Sequence, residues 1–175
     1  MNNVNDIVIV NYEDKQIGKT SKELAHSDGI LHRAFSVYII NEKKEVLLQR
    51  RNINKYHSGG LWSNTCCSHP ISNCVLLEFA SERLYQELGI KAELEEIGQF
   101  IYRCEFSNKL IEYEYDHVLF GKVTEEKVVP NIQEVDDFAW YNINDIEKLL
   151  IEKPELFTVW FFQSFHILKN FIKGV

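Results

Sequence analysis

Long apolar runs, Cys-x-x-Cys pairs, proline-rich linkers and an excess of basic residues are all missing from this 175-residue chain. Its first apolar patch, Ile7 to Val10, is far too short for a secretory leader or a membrane span, and the stretch before it is polar and acidic. Nothing there directs export, so a cytoplasmic location without membrane attachment is expected. With three prolines, no internal repeat and no low-complexity segment, there is no sign of a linker. A hydrophobic content of 45% then fits one globular domain over residues 1–175. Without a Cys-x-x-Cys pair the four cysteines do not read as a zinc knuckle. Adjacent Cys66 and Cys67 bridge poorly to each other, and a cytosolic chain keeps its thiols reduced. The net charge of −7 argues against nucleic-acid binding, which needs a basic face.

Two short segments stand out in what remains. Ser63-Asn64-Thr65-Cys66-Cys67-Ser68-His69-Pro70 sets a thiol and an imidazole two residues apart among turn-forming residues. Glu112-Tyr113-Glu114 places two carboxylates in an aromatic-rich stretch further on. Together they suggest a metal-dependent acid–base enzyme. The charge is also uneven. Arg33, Arg50, Arg51, Lys55 and Arg83 fall in the half that carries the Cys-His run, whereas Glu125 to Glu147 is mostly acidic. A local basic cluster in an acidic protein suits a small anionic ligand better than a polyanion.

Hydrophobic patterning predicts strands over Ile7–Tyr12, Ala34–Ile40, Val46–Arg50, Leu94–Phe106, Ile111–Val123 and Phe138–Tyr141. The second and third flank the polar turn Asn41–Lys44 and read as a hairpin, and Arg51–Leu61 reads as a loop. A helix is predicted from Val75 to Leu88, capped by Asn73 and stopped by Gly89, with Leu77, Ala80, Leu84 and Leu88 as its buried stripe. Glu87 and Arg83, four apart, share another face. A short helix from Ile146 to near Pro154 and an aromatic helix over Thr158–Ile172 complete an α/β (α+β) chain with a mixed sheet.

Side chains alternate along a strand, so Glu112, Glu114 and Asp116 share a face with Val118 and Phe120. If that face is buried, a cation or a shared proton must accompany the acids. The plain alternative is a solvated face on an edge strand. His26, His32 and His69 could complete a metal site with those acids, and imidazole with carboxylate suits Mn, Zn or Fe better than an all-oxygen magnesium site. Each of these histidines could equally be structural; His57, His117 and His166 are set aside. Cys67 is a candidate catalytic thiol against the ordinary role of cysteine as a small buried hydrophobe. Tyr102 and Trp160 suit core packing. Arg51 and Lys55, in a glycine-containing loop that is no Walker motif, could grip phosphate or be solvated.

These residues resemble a known family. Leu31-His32-Arg33-Ala34-Phe35-Ser36, Arg50-Arg51, Trp62 through Pro70, Glu87-Leu88-Gly89, Tyr102-Arg103, Glu112-Tyr113-Glu114 and Trp160 match type I isopentenyl-diphosphate isomerase, which has the Nudix fold, in order and over nearly the whole chain. The resemblance implies a Nudix-like mixed β-sheet sandwiched by helices. It also implies interconversion of isopentenyl and dimethylallyl diphosphate, a prenyl diphosphate substrate of isoprenoid biosynthesis. By the same match, Cys67 and Glu114 are the proton-transfer pair on opposite faces of the substrate. Tyr102 supports the acid Glu, and Trp160 lies over the hydrocarbon. His26, His32, His69, Glu112 and Glu114 match the ligands of a bound divalent ion (Mn2+, Zn2+ or Mg2+). Glu87 matches the residue that helps hold the Mg2+ carried in with the diphosphate, and Arg51, Lys55 and Arg83 match the diphosphate-binding residues.

The chemistry accounts for those residue types. Moving an alkene by one position adds a proton to one carbon and removes another from its neighbour, through a tertiary carbocation. An indole face stabilises that cation without attacking it. Against the hydrolytic Nudix signature the chain departs: Ser68, Cys74, Glu82-Arg83 and Gln86-Glu87 occupy its registers. Only Glu87 survives of the acids that gather metals around a scissile diphosphate, so pyrophosphohydrolysis is the disfavoured alternative, beside a noncatalytic binding module.

Overall fold

The computed structural model describes residues 6–125 and 127–174; the rest of the expected 1–175 unit, including most of the polar start, lies outside the described residues. Its strands are β1 (Ile7–Val10), β2 (Gln16–Thr20), β3 (His32–Ile40), β4 (Glu45–Arg51), β5 (Trp62–Ser63), β6 (Cys66–Ser68), β7 (Leu94–Glu105), β8 (Ile111–Lys122) and β9 (Val135–Asn142). The helices are α1 (Lys22–Asp28), α2 (Leu76–Leu88), α3 (Ile143–Glu152) and α4 (Phe161–Gly174), with a 3-10 turn at Pro154–Leu156. All the strands join one mixed sheet with β3 at its hub. On one edge β3 pairs in parallel with β8, from His32↔Glu114 to Ile40↔Lys122. On its other edge it meets β1, β6 and β4 in turn, all antiparallel.

Alternation on β3 divides the core into two layers. Phe35, Val37 and Ile39, with Leu47 and Leu119, pack beneath Ala80, Leu84 and Leu88 of α2. Tyr38 and Ile40, with Leu48, Val118 and Phe120, meet Ile146 of α3 and Phe161, Phe165 and Leu168 of α4. Each such large side chain contributes roughly 1.5–3 kcal/mol on burial. The result is the expected mixed sheet between helices.

The hairpin expected around Asn41–Lys44 closes only beside its turn, with Ile40 opposite Val46 as the one registered pair. Beyond that pair the two strands part. The Thr65 hydroxyl sits in the fork, accepting from Ile39 N at 2.9 Å and donating to Leu47 O at 2.6 Å. The Ser63–Ser68 run enters this fork, and β6 takes over the edge of β3 that β4 gives up. β4 turns instead to pair with β9 from Glu45 to Arg51.

Helix boundaries differ at identifiable points. Asn73 stands at φ 71 outside α2, whose N-cap is Val75 with no side-chain hydrogen bond. Leu77 is exposed and Glu87 is buried, so the inward stripe includes Glu87 in place of Leu77. α3 begins earlier than expected because Asn142 Oδ1 caps it by accepting from Asn144 N. α4 begins at Phe161, which leaves Trp160 in the approach rather than in the helix. Neither β2 nor α1 was expected.

Candidate functional site

Strand register assembles the site on one face of the sheet. His32 lies beside Glu114 and Ala34 beside Asp116 across β3–β8, Tyr102 faces Glu114 across β7–β8, and Ser36 faces Cys67 across β3–β6. Partners level with each other in a sheet point to the same side. The acids therefore lie on an interior strand, not a solvated edge: Glu112, Glu114 and Asp116 are 2%, 5% and 1% exposed. They line a cleft of about 610 Å³ shared with Cys67, Tyr102, Trp160, Arg51, Lys55, Arg83 and Glu87.

Each glutamate divides its oxygens. Oε2 of both Glu112 and Glu114 lies 2.7 Å from the Tyr102 hydroxyl. A phenol has one proton to give, so the second contact brings lone pairs together unless a proton or cation offsets them. Glu114 Oε1 lies 2.7 Å from His69 Nε2 and 3.7 Å from His32 Nε2. Glu112 Oε1 lies 2.7 Å from His57 Nε2 and 3.9 Å from His26 Nε2. His26 is carried by α1, which Ser21 caps and Gly29 ends in the left-handed region.

The imidazoles are set for metal binding. Nδ1 of His26 is 2.6 Å from Lys22 O and Nδ1 of His32 is 2.7 Å from Ile30 O. A carbonyl accepts only from N–H, so the proton is on Nδ1 and the Nε2 lone pair faces the acids. The Nε2 atoms of His26, His32 and His57 are buried with no hydrogen-bond partner. Burial lowers His26 to about 4, opposed by its bond to Lys22 O. Burial and the Lys22 ammonium hold His69 well below the usual imidazole range. Neutral rings at pH 7 are the ligand form. Burial works to raise Glu114, and His69 and His32 beside it hold it well below the carboxylate range. The donors fall into two overlapping groups, His26–His32–His69–Glu114 and His26–His57–Glu112, with the ligating atoms of each group within 4.8 Å of one another. This buried set is suited to a divalent cation. The five residues expected as ligands come together, with Glu112 in the group that contains His57.

The cleft is also lined by the cations Arg51, Lys55 and Arg83 and by the acids Glu87 and Glu134. Arg83 Nη2 donates to Glu87 Oε1 at 2.5 Å, and Gln49 Nε2 donates to Glu87 Oε2 at 3.2 Å. Glu134 sits between Lys55, which it hydrogen-bonds, and Arg83 at 3.6 Å. The Arg51 guanidinium lies 5.2 Å from the Trp160 ring centre and its Nη1 is 3.4 Å from Cys67 Sγ. Of the basic cluster in the sequence, Arg33 and Arg50 turn elsewhere, to Asp14 and Asp137.

Adjacent thiols diverge because β6 alternates. Cys66 is fully buried in the α2 core layer, whereas Cys67 lines the cleft. Burial pushes the Cys67 thiol up to about 12, with Arg51 working the other way. Asp116 is raised well above its usual range by burial and then by Glu114, while Ser36 Oγ donates to its Oδ2 at 2.8 Å. Trp160 is fixed by Nε1 donating to Asn64 Oδ1 at 3.1 Å.

Sequence reasoning passed over several lining residues: Lys22, Tyr56, His57 and Glu134. Lys22 belongs to an unexpected helix whose seven residues give little periodicity. His57 lies two residues from Lys55, and that adjacency was the available signal.

The NUDIX domain family profile matches residues 30–161. The MutT protein of Methanosarcina mazei superposes with a TM-score of 0.64 at 23% identity, covering 82% of this chain and 94% of that one. An Ap4A hydrolase of C. elegans gives 0.58 at 14% identity, covering 82% and 98%. Profile and superpositions define a Nudix-fold protein. Within that class the similarity is far stronger in one direction. The isopentenyl-diphosphate Delta-isomerase of Photobacterium profundum is 44% identical over 169 residues, covering 94% of each chain. That of Pectobacterium atrosepticum is 44% identical over 160 residues, covering 91% of this chain and 89% of that one. The chain belongs to the isopentenyl-diphosphate Delta-isomerase family.

Proposed function

We propose that this protein interconverts isopentenyl diphosphate and dimethylallyl diphosphate on a single domain, with Cys67 and Glu114 as the proton-transfer pair. The observation that carries this reading is the convergence of Cys67 from β6 and Glu114 from β8 on one cleft from opposite edges of β3. Cys67 rests as the thiol and Glu114 as the carboxylate, so one holds a proton while the other can take one. Tyr102 steadies Glu114 through its hydroxyl. Trp160 offers its ring to the carbocation, in the place where Arg51 lies over it.

Arg51, Lys55 and Arg83 hold the diphosphate, and Glu87 faces the Mg2+ that accompanies it. The remote diphosphate thus supplies the binding energy that positions a greasy five-carbon chain. In the second centre His26, His32, His69, Glu112 and Glu114 hold a divalent ion, and their nitrogen-rich set favours Mn2+ or Zn2+ over Mg2+. When bound, that ion fixes the Glu114 carboxylate and tunes its acidity.

The test is incubation with isopentenyl diphosphate and Mg2+ in heavy water, followed by NMR. Deuterium is expected in the new methyl group, with the diphosphate intact and the label lost in Glu114→Gln. Free phosphate or diphosphate released at the rate of substrate loss would establish hydrolysis instead. Binding without label would reduce the protein to a binding module.

A further inference from the structure

His57 belongs to a donor group but has no place among the five ligands named under the proposed function. It lies on the Arg51–Leu61 segment, two residues after Lys55, yet it is 6% exposed and its Nε2 atom points at Glu112 Oε1 from 2.7 Å. That nitrogen has no hydrogen-bond partner, so the approach is too far off line for an ordinary donation. Two ligands along one edge of an octahedron with bonds of about 2.1 Å stand about 3.0 Å apart, so this pair needs to open by only a few tenths of an ångström to share a cation. The ring is held in place. It stacks on Phe106 with centroids 4.8 Å apart, and Nδ1 is 3.2 Å from Ser58 Oγ. The backbone that delivers it is tightly wound: a Cβ on Gly59 would lie 2.4 Å from Ile53 O, and Gly60 stands at φ 78.

We propose that His57 is a ligand of the divalent cation in the His/Glu centre, so that the cation fastens the loop carrying Lys55 to the sheet. His26 supports a single centre. It belongs to both donor groups, and because its Nδ1 is committed to Lys22 O, only Nε2 is free for either. One lone pair holds one cation, so the groups are two halves of one centre, not two centres. The cation would then tie α1, β3, the loop, the segment after β6, and β8 through His26, His32, His57, His69, Glu112 and Glu114. Four imidazoles raise its preference for zinc, cobalt or manganese over magnesium. They also couple its occupancy to the position of Lys55, and hence to the diphosphate pocket.

This inference rests on the reading that the His/Glu set holds a metal, and the experiment separates the two. The full-length protein is stripped with chelator and loaded with Co2+, and uptake is followed by visible absorption and by competition with a chromophoric chelator. His57→Phe keeps a ring against Phe106 while removing the nitrogens. It should bind Co2+ about tenfold or more weakly and with an altered absorption band. Hydrogen exchange at residues 51–61 should slow on loading the wild type and not on loading His57→Phe. X-ray absorption of the zinc-loaded wild type needs no substitution and should fit four imidazoles. Wild-type affinity and spectrum in His57→Phe, or a three-imidazole fit, would leave His57 as a mere ion-pair partner of Glu112. Failure of the wild type itself to take up Co2+ would overturn the metal reading as a whole.

Discussion

Replacing Glu134 by Gln removes the carboxylate that lies between Lys55 and Arg83, and the effect on anion binding can be worked from the charges. Two unit charges about 4 Å apart attract by roughly 1 kcal/mol in water and roughly 4 kcal/mol at an effective dielectric of 20. Fully exposed pairs measure only about 0.2–1 kcal/mol. The Glu134, Lys55 and Arg83 side chains are 24%, 25% and 23% exposed, between those limits. Burial disfavours the Glu134 carboxylate, yet the Lys55 hydrogen bond and the two cations keep its pKa below the usual value, so it is charged at pH 7. A diphosphate that recruits Lys55 and Arg83 must break both contacts, at about 1–2 kcal/mol in total. Titration calorimetry with inorganic diphosphate in Mg2+-free buffer should therefore show Glu134→Gln binding about five- to thirtyfold tighter than wild type. Unchanged affinity would refute the competition. Weaker binding confined to Mg2+-containing buffer would make Glu134 a partner of the metal instead.

Cys67→Ala should abolish isomerisation while Cys66→Ala largely spares it, read by the same deuterium assay; equal losses would point to packing of the whole β6 segment. Trp160→Phe should keep measurable turnover and Trp160→Leu should lose about tenfold or more, since a desolvated cation–π contact is worth roughly 2 kcal/mol. A melting temperature that falls in step with the rate would assign Trp160 to packing alone. The metal-free protein should lose stability as the pH falls from 6.5 to about 4, because the unfolded chain protonates His26 near 6.5 and the folded chain only near 4. Thermal melts across that window should register up to about 3 kcal/mol, and a flat profile would contradict a buried neutral His26.

The alternation of Glu112, Glu114 and Asp116 was readable because strand side chains repeat every second residue. Whether that face was wet or dry was not, since the answer lies in β3, whose pairing with β8 joins positions about eighty residues apart. The choice between Cys66 and Cys67 was likewise hidden. It depends on which face of β6 meets the core, and β6 lies in the β3–β4 fork that Thr65 bridges, which no local pattern announces. The Ala80–Leu84–Leu88 stripe of α2 followed from helical spacing, whereas Glu87 in that stripe did not, because burial of a carboxylate requires partners such as Arg83 and Gln49. The lost acids of the hydrolytic signature were visible as residue types alone. His57 was missed for want of any short-range pattern linking a loop imidazole to β8.

The parallel pairing of β3 with β8 also governs how the molecule comes together. His32 and Glu114 become neighbours only after the intervening chain has closed a long loop, and such closures are entropically late and slow. Strands β1 and β2, as a local hairpin, can form early without building any of the acid–imidazole cluster. The acid–imidazole cluster is then absent from partly folded chains. A cation gripping groups from α1, β3 and β8 acts on the finished topology as a cross-link does. It should slow unfolding far more than it speeds folding, so the metal-loaded protein's lifetime is set by how reluctantly that one knot of ligands lets go.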